Sequence, residues 1–164
     1  MKKYLFIILI SFSGIAHAQD YLLNNEQLIF SFDTKSGKHV VLAKDKNNLY
    51  IVYRLYTGNK IEFEFPDKVK SSWSKFKYSF YLRGGGIQNE GMDMNYIYFI
   101  NDSFKYTIYD TYYAVGNEFK VGIKVTNLKT NKTSDIKGVH RTIKGTLVDF
   151  RDNNLLEITD DSEN

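Results

Sequence analysis

The chain has 164 residues, with 22 Lys and Arg against 19 Asp and Glu for a formal charge of +3, and it contains no cysteine. That length fits one domain of ordinary size and not two. A hydrophobic content of 43% supplies a core and excludes wholesale disorder. The missing cysteines exclude a disulfide scaffold, a cysteine nucleophile and any thiolate metal site.

Residues 1–18 read as a secretory signal. Lys2 and Lys3 give a positive start, 5–15 is a short apolar run, and Ala16-His17-Ala18 is a small-x-small cleavage pattern. Cutting after Ala18 leaves 146 residues from Gln19. Lys2 and Lys3 leave with the signal and no acidic residue does, so 20 basic against 19 acidic residues give +1. A nearly neutral domain lacks the basic footprint of a nucleic-acid binder. No later segment has the roughly 18 consecutive apolar residues of a helical span, so no integral membrane segment is expected after cleavage.

From Leu28 onward apolar residues recur at every second position between clusters of Gly, Asn, Asp, Ser and Lys, the pattern of half-buried strands. In chain order the expected strands are 28–32, 39–43, 49–56, 61–65, 75–83, 94–100, 104–109, 119–125 and 133–136. Most of the connections between them are too short for parallel crossovers, so the chain reads as an antiparallel up-and-down meander of eight or nine strands. No long amphipathic helix is available to cover its apolar face. Closure into a barrel or a strongly curved sandwich would bury that face and remove the edges. Ile136, Val139, Ile143, Leu147 and Phe150 are spaced by three and four, which predicts a short helix over 142–150. The polar, acidic segment 151–164 is expected to fray, leaving 19–150 as the single all-β domain.

Motifs for chemistry are sparse. After the signal only His39 and His140 remain, neither in a metal-ligand spacing, and both read as surface or turn residues. No nucleophile elbow, zinc-protease motif, phosphate loop or EF-hand register occurs, and no cofactor is implied. The longest connection, 83–93, carries Arg83, Gly84, Gly85, Gly86, Asn89, Glu90 and Asp93. Its glycines suit positive φ, and Glu90 and Asp93 are the only carboxylates placed to act as an acid and base pair on a sugar. Its length makes it the leading contact surface, with Arg83 as a charge partner and Trp73 as an aromatic anchor. Tyrosines at 50, 53, 56, 81, 96, 98, 109, 112 and 113 exceed what one sheet face hides, so several are expected at the surface. Tyr112 and Tyr113 stand nearest the loop among them, and exposed tyrosine favours recognition.

The runs 37–42, 50–54 and 60–66, followed by Trp73 and Tyr78, resemble those of small uncharacterised exported proteins of Gram-negative bacteria. Signal plus all-β body is similar, in architecture, to the periplasmic lysozyme inhibitors built on eight-stranded barrels. The resemblance implies a periplasmic all-β domain. The chain has neither the inhibitors' cysteine pair nor the motif of their Ser-Gly-containing inhibitory loop, so the resemblance assigns no functional residue.

The expectation is therefore a non-enzymatic exported protein whose partner is another protein, either a cell-wall hydrolase that it inhibits or a delivered toxin that it neutralises. The alternatives are a barrel holding a small apolar ligand and a glycan hydrolase using Glu90 and Asp93.

Overall fold

A computed structural model describes residues 21–160; the signal-like segment and the last four residues of the acidic tail lie outside the described residues. The first layer is a meander of β1 (Glu26–Asp33), β2 (Lys38–Asp45), β3 (Ile51–Thr57) and β4 (Lys60–Phe65). A six-residue 3-10 turn, Lys70–Lys75, carries the chain to a second meander of β5 (Phe76–Arg83), β6 (Met92–Asn101), β7 (Phe104–Tyr113), β8 (Glu118–Asn127) and β9 (Lys132–Lys137). These are the nine alternating segments of the sequence. Their hairpin turns hold left-handed residues, among them Gly37, Asn48, Gly58, Asp102 and Asn131, residue types that tolerate or stabilise that conformation.

Two further short strands raise the count to eleven: β10 (Lys144–Gly145) and β11 (Glu157–Ile158). They correct two expectations. No helix spans 142–150. Instead β10 pairs with β1 between two 3-10 turns, His140–Thr142 and Val148–Phe150. Gly145 sits at φ 79°, and a Cβ there would stand 2.0 Å from the Ile29 carbonyl oxygen, so the residue both ends helix and permits the pairing. The segment 151–160 does not fray as a whole. Leu156 is buried in the core, β11 runs parallel to β5, and the Thr159 N–H donates to the Tyr78 carbonyl at 2.8 Å.

The strands form two sheets, ordered β10-β1-β2-β3-β4 and β11-β5-β6-β7-β8-β9, not a closed barrel. Along one side they touch where the chain leaving β9 makes a single bridge, Gly138 to Thr34, and the Val139 N–H donates to the Asp33 carbonyl. On the other side closure would need β4 to pair with β5. The outer edge of β5 is taken by β11 instead, so the barrel stays open.

Between the sheets Phe30, Phe32, Val40, Leu42, Ile51 and Tyr53 meet Phe76, Tyr78, Ile97, Phe99, Ile108 and Ile123, all essentially without exposure. Rings fill the space: Phe99 lies 5.2 Å from Tyr53, 4.7 Å from Phe65 and 4.9 Å from Tyr106 between ring centroids. Burying such side chains contributes roughly 1.5–3 kcal/mol each.

The first sheet has a second small core on its outer face. Val41, Ala43, Tyr50, Val52 and Tyr56 are buried there beneath Tyr21, Leu22 and Leu28. Arg54, 1% exposed, lies on the same face and donates two hydrogen bonds to Glu26, at 2.6 and 2.7 Å, and a third to Glu64. Burial by itself pushes Glu26 up, but the bonds from Arg54, the Leu23 N–H and the Tyr50 hydroxyl hold it below the usual carboxylate range.

Candidate functional site

Register explains how the second sheet builds a distinctive end. Its inward side chains form rows across the strands, and the row Tyr78, Ile97, Ile108, Ile123 and Ile136 is wholly apolar. The next row toward the 83–93 loop is Phe80, Asn95, Asp110 and Val121, and the last is Leu82, Asp93, Tyr112 and Phe119. Polarity thus rises toward one end, where Phe80, Leu82 and Phe119 are exposed.

Arg151, from the segment after the last 3-10 turn, enters this end. It bonds Asp93 and donates to the Asn95 side-chain oxygen at 2.8 Å, and its guanidinium lies 5.0 Å from the Phe80 ring centre. Tyr78 donates to the same Asn95 oxygen at 2.6 Å. The Nε of Arg151 is buried with no hydrogen-bond partner among the described residues. Asp110 stands one row deeper; its carboxyl is raised above the ordinary value chiefly by burial, with Asp93 adding to the rise and His140 opposing it. Tyr112 packs on Phe119 at 4.7 Å, and Phe119 on the His140 ring at 4.5 Å.

The loop itself is braced. Arg83 donates twice to the Glu90 carbonyl, at 2.9 and 2.7 Å, and reaches the Glu90 carboxylate at 3.4 Å. Asn89 donates to the Gly84 carbonyl at 2.8 Å, closing a short 3-10 turn, Gly86–Asn89. Gly85 and Gly86 take φ of 91° and 60°, while Gly84 does not need a positive φ. The Ala114 N–H donates to the Gly91 carbonyl at 2.8 Å, which ties the loop to the turn between β7 and β8.

A separate groove of about 470 Å³ runs over the outer face of the same sheet, where β7, β8 and β9 present Tyr109, Thr111, Tyr113, Lys120, Lys124, Asp135 and Lys137. Tyr96 of β6 and Lys35 of the β1–β2 turn complete it, and it reaches the rim at Phe119 and His140. The Tyr109 hydroxyl donates to Asp135 at 2.8 Å, and Lys120 pairs with Glu118 at 3.0 Å. The Lys120 ammonium also lies 5.0 Å from the Tyr113 ring centre, and that of Lys124 5.9 Å from the ring of Tyr109.

The sequence-predicted residues fall into three places. Arg83, Gly84, Gly85, Gly86, Asn89 and Glu90 form the braced loop, while Asp93 and Tyr112 point inward at the open end. Tyr113 points to the outer groove. Trp73 is a correction: it is 7% exposed, in the core, and its indole N–H donates to the Asn48 carbonyl at 2.9 Å, at the end of β5 away from the loop. Glu90 and Asp93 do not form a pair, because Glu90 stays on the loop with Arg83 while Asp93 is held inside by Arg151 and Asn95.

Most tyrosines expected at the surface are also covered. Tyr50, Tyr53, Tyr56, Tyr96, Tyr98 and Tyr109 are buried, and only Tyr81 of the nine is exposed. One sheet face could not hide them, but two cores and the stems of Lys105, Lys120 and Lys124 lying over rings can. His39 is not an isolated strand residue: its Nδ1 lies 2.6 Å from the Asp33 carboxylate and its ring stacks on Tyr21 at 4.1 Å. Sequence reasoning missed Arg151, Lys35 and Lys137, which reach the two sites through long-range contacts with no local signature.

Among the described residues no group of three or more His, Asp or Glu could hold a metal ion, and no helix is long and apolar enough to cross a membrane. No protein-family model matches the chain, and neither a curated protein nor a solved structure matches it.

Proposed function

We propose that the chain is an exported, non-enzymatic protein that binds another protein through the open end of its second sheet, as an inhibitor of a cell-wall hydrolase or as an immunity protein against a delivered toxin. One observation carries this reading: Leu82 (57% exposed) and Phe119 (46%), at the ends of β5 and β8, and Ile87 (71%) and Val115 (55%), on the connections, all lie at that end. Large apolar side chains grouped at a surface mark interaction sites. The loop and turn that present them are tied together by the Ala114 to Gly91 bond, so little ordering entropy opposes binding. The N-terminal signal pattern supports a periplasmic location.

Less supports the alternatives. The space between the sheets is filled with rings, whereas a small-ligand barrel needs a cavity of several hundred cubic ångströms. The carboxylates of Glu90 and Asp93 are engaged on different elements, whereas a glycan hydrolase needs them facing one bond.

The test is affinity capture from periplasmic extract, with the chain expressed in full and a double variant, Leu82→Ser with Ile87→Ser, run beside it. The expected result is one protein recovered in near-stoichiometric amount, at least about tenfold less with the variant, and inhibited in its lytic or toxic activity by the wild type. Recovery of no specific protein, or equal recovery by the variant, would overturn the reading.

A further inference from the structure

The groove on the outer face of the second sheet is distinct from the apolar end, and its chemistry is opposite. Four lysines line it, Lys35, Lys120, Lys124 and Lys137, against two carboxylates, Glu118 and Asp135. Both carboxylates are already engaged, Glu118 by Lys120 and Asp135 by the Tyr109 hydroxyl. Lys35 and Lys137, by contrast, have no ion-pair partner among the described residues, and their main chains are joined by a 2.8 Å bond from the Lys35 N–H to the Lys137 carbonyl. That bond anchors two unpaired cations at one wall of the groove. A volume of about 470 Å³ lies within the range of ligand sites.

Topology adds a second feature at the same place. β9 leaves β8 at Gly138, whose N–H donates to the Val121 carbonyl as the last bond between them. Main-chain groups on a strand face alternate sides, so those of Phe119 point to the same side as those of Val121, and no strand lies beside them. This unpaired edge position offers the main-chain groups of one residue to an extended peptide.

We propose that this groove docks an extended acidic peptide segment, which aligns along the free edge of β8 at Phe119 and sets its carboxylates against Lys35 and Lys137. An extended chain with acidic residues at every second position would turn one carboxylate row toward the lysine wall and the alternate side chains to the opposite face, on the side of Phe119. The proposal deepens the protein-binding reading by naming the chemistry of a second contact on the partner, and in that sense rests on it.

The experiment titrates the full chain with fluorescein-labelled Glu-Val-Glu-Val-Glu-Val and follows anisotropy. Beside it run the isomer Glu-Glu-Glu-Val-Val-Val, the basic counterpart Lys-Val-Lys-Val-Lys-Val, an N-methylated alternating peptide and labelled oligogalacturonate. The alternating acidic peptide should bind best. The N-methylated form should bind about tenfold more weakly through lost main-chain bonds, and the Lys35→Ala, Lys137→Ala variant about three- to tenfold more weakly. No binding of the alternating peptide, equal binding of the isomer or the basic peptide, or preference for oligogalacturonate would overturn the proposal, the last by assigning the groove to an anionic glycan.

The lysine variant is also used in the capture experiment of the preceding subsection. If the partner is retained equally by that variant, the groove proposal fails while the protein-binding reading stands. If the peptide binds as stated but no partner is captured, that reading fails while the groove's preference for acidic peptide stands.

Discussion

On the outer face of the first sheet, Tyr21 and Leu22 of the segment before β1, with Leu28 of β1, cover Val41, Ala43, Tyr50, Val52 and Tyr56, and the buried Arg54 is answered by Glu26 and Glu64. On the outer face of the second sheet the strands present a similar alternation, yet the tyrosines lie under lysine stems and at the floor of an open groove, and Lys35 and Lys137 have no acidic partner among the described residues. The first face is a closed, self-satisfied structure and the second is an incomplete one. Charges buried without partners cost too much to persist, so paired charge under a lid speaks for folding. Unpaired charge at the rim of a groove costs little and is available to a ligand.

Four variants would break or sharpen this contrast, and the largest effect belongs to Arg54. Arg54→Ala leaves Glu26 buried without its cation and should cost about 3–5 kcal/mol in urea unfolding; a loss below about 1 kcal/mol would mean that the first face is not the closed structure described. Acid should act through the same site. Because the folded Glu26 carboxyl is held below its usual value, its contribution is present above the unfolded value of about 4.3 and is lost as pH falls toward the folded one. Urea melts from pH 7 to pH 3 should show wild-type stability dropping in that window, with a shallower drop for Glu26→Gln.

Asp110 has the reverse sign. Burial raises its folded value, so the folded state holds the proton more tightly and stability falls as pH rises through that value. Asp110→Asn should therefore raise the melting temperature at pH 7 and remove that part of the pH dependence; a lower melting temperature at every pH would show the ionised carboxylate to be stabilising. The smallest effect is expected at the groove, where Lys35→Ala with Lys137→Ala should change unfolding free energy by less than about 0.5 kcal/mol. A cost comparable to that of Arg54→Ala would make these lysines structural.

Most of the nine long strands were legible because they repeat apolar residues at period two and end at or beside Gly, Asn or Asp; β9 carries only Ile136 as an apolar signal. The open barrel was not, because closure depends on which edge is taken. β11 occupies β5 through two residue pairs of an acidic tail whose composition reads as disorder. The spacing of Ile136, Val139, Ile143, Leu147 and Phe150 imitates a helix, but Ile136 is an inward residue of β9, and Leu147 and Phe150 reach the core from a single 3-10 turn on the far side of β10. Of the candidate site, the loop, Asp93 and Tyr112 were singled out by sequence, but the inward orientation of Asp93 and Tyr112 follows only from strand register. The groove could not, since Lys35 and Lys137 come together only through the bridge between Thr34 and Gly138.

The account rests on the open end of the second sheet as the place where a partner protein binds, and amide hydrogen exchange of the chain with and without its captured partner tests that most directly. Slowed exchange at 82–92 and 112–119, with 21–28 and 52–56 unchanged, is the predicted result. Slowing confined to the first sheet's outer face, or none anywhere, would contradict it.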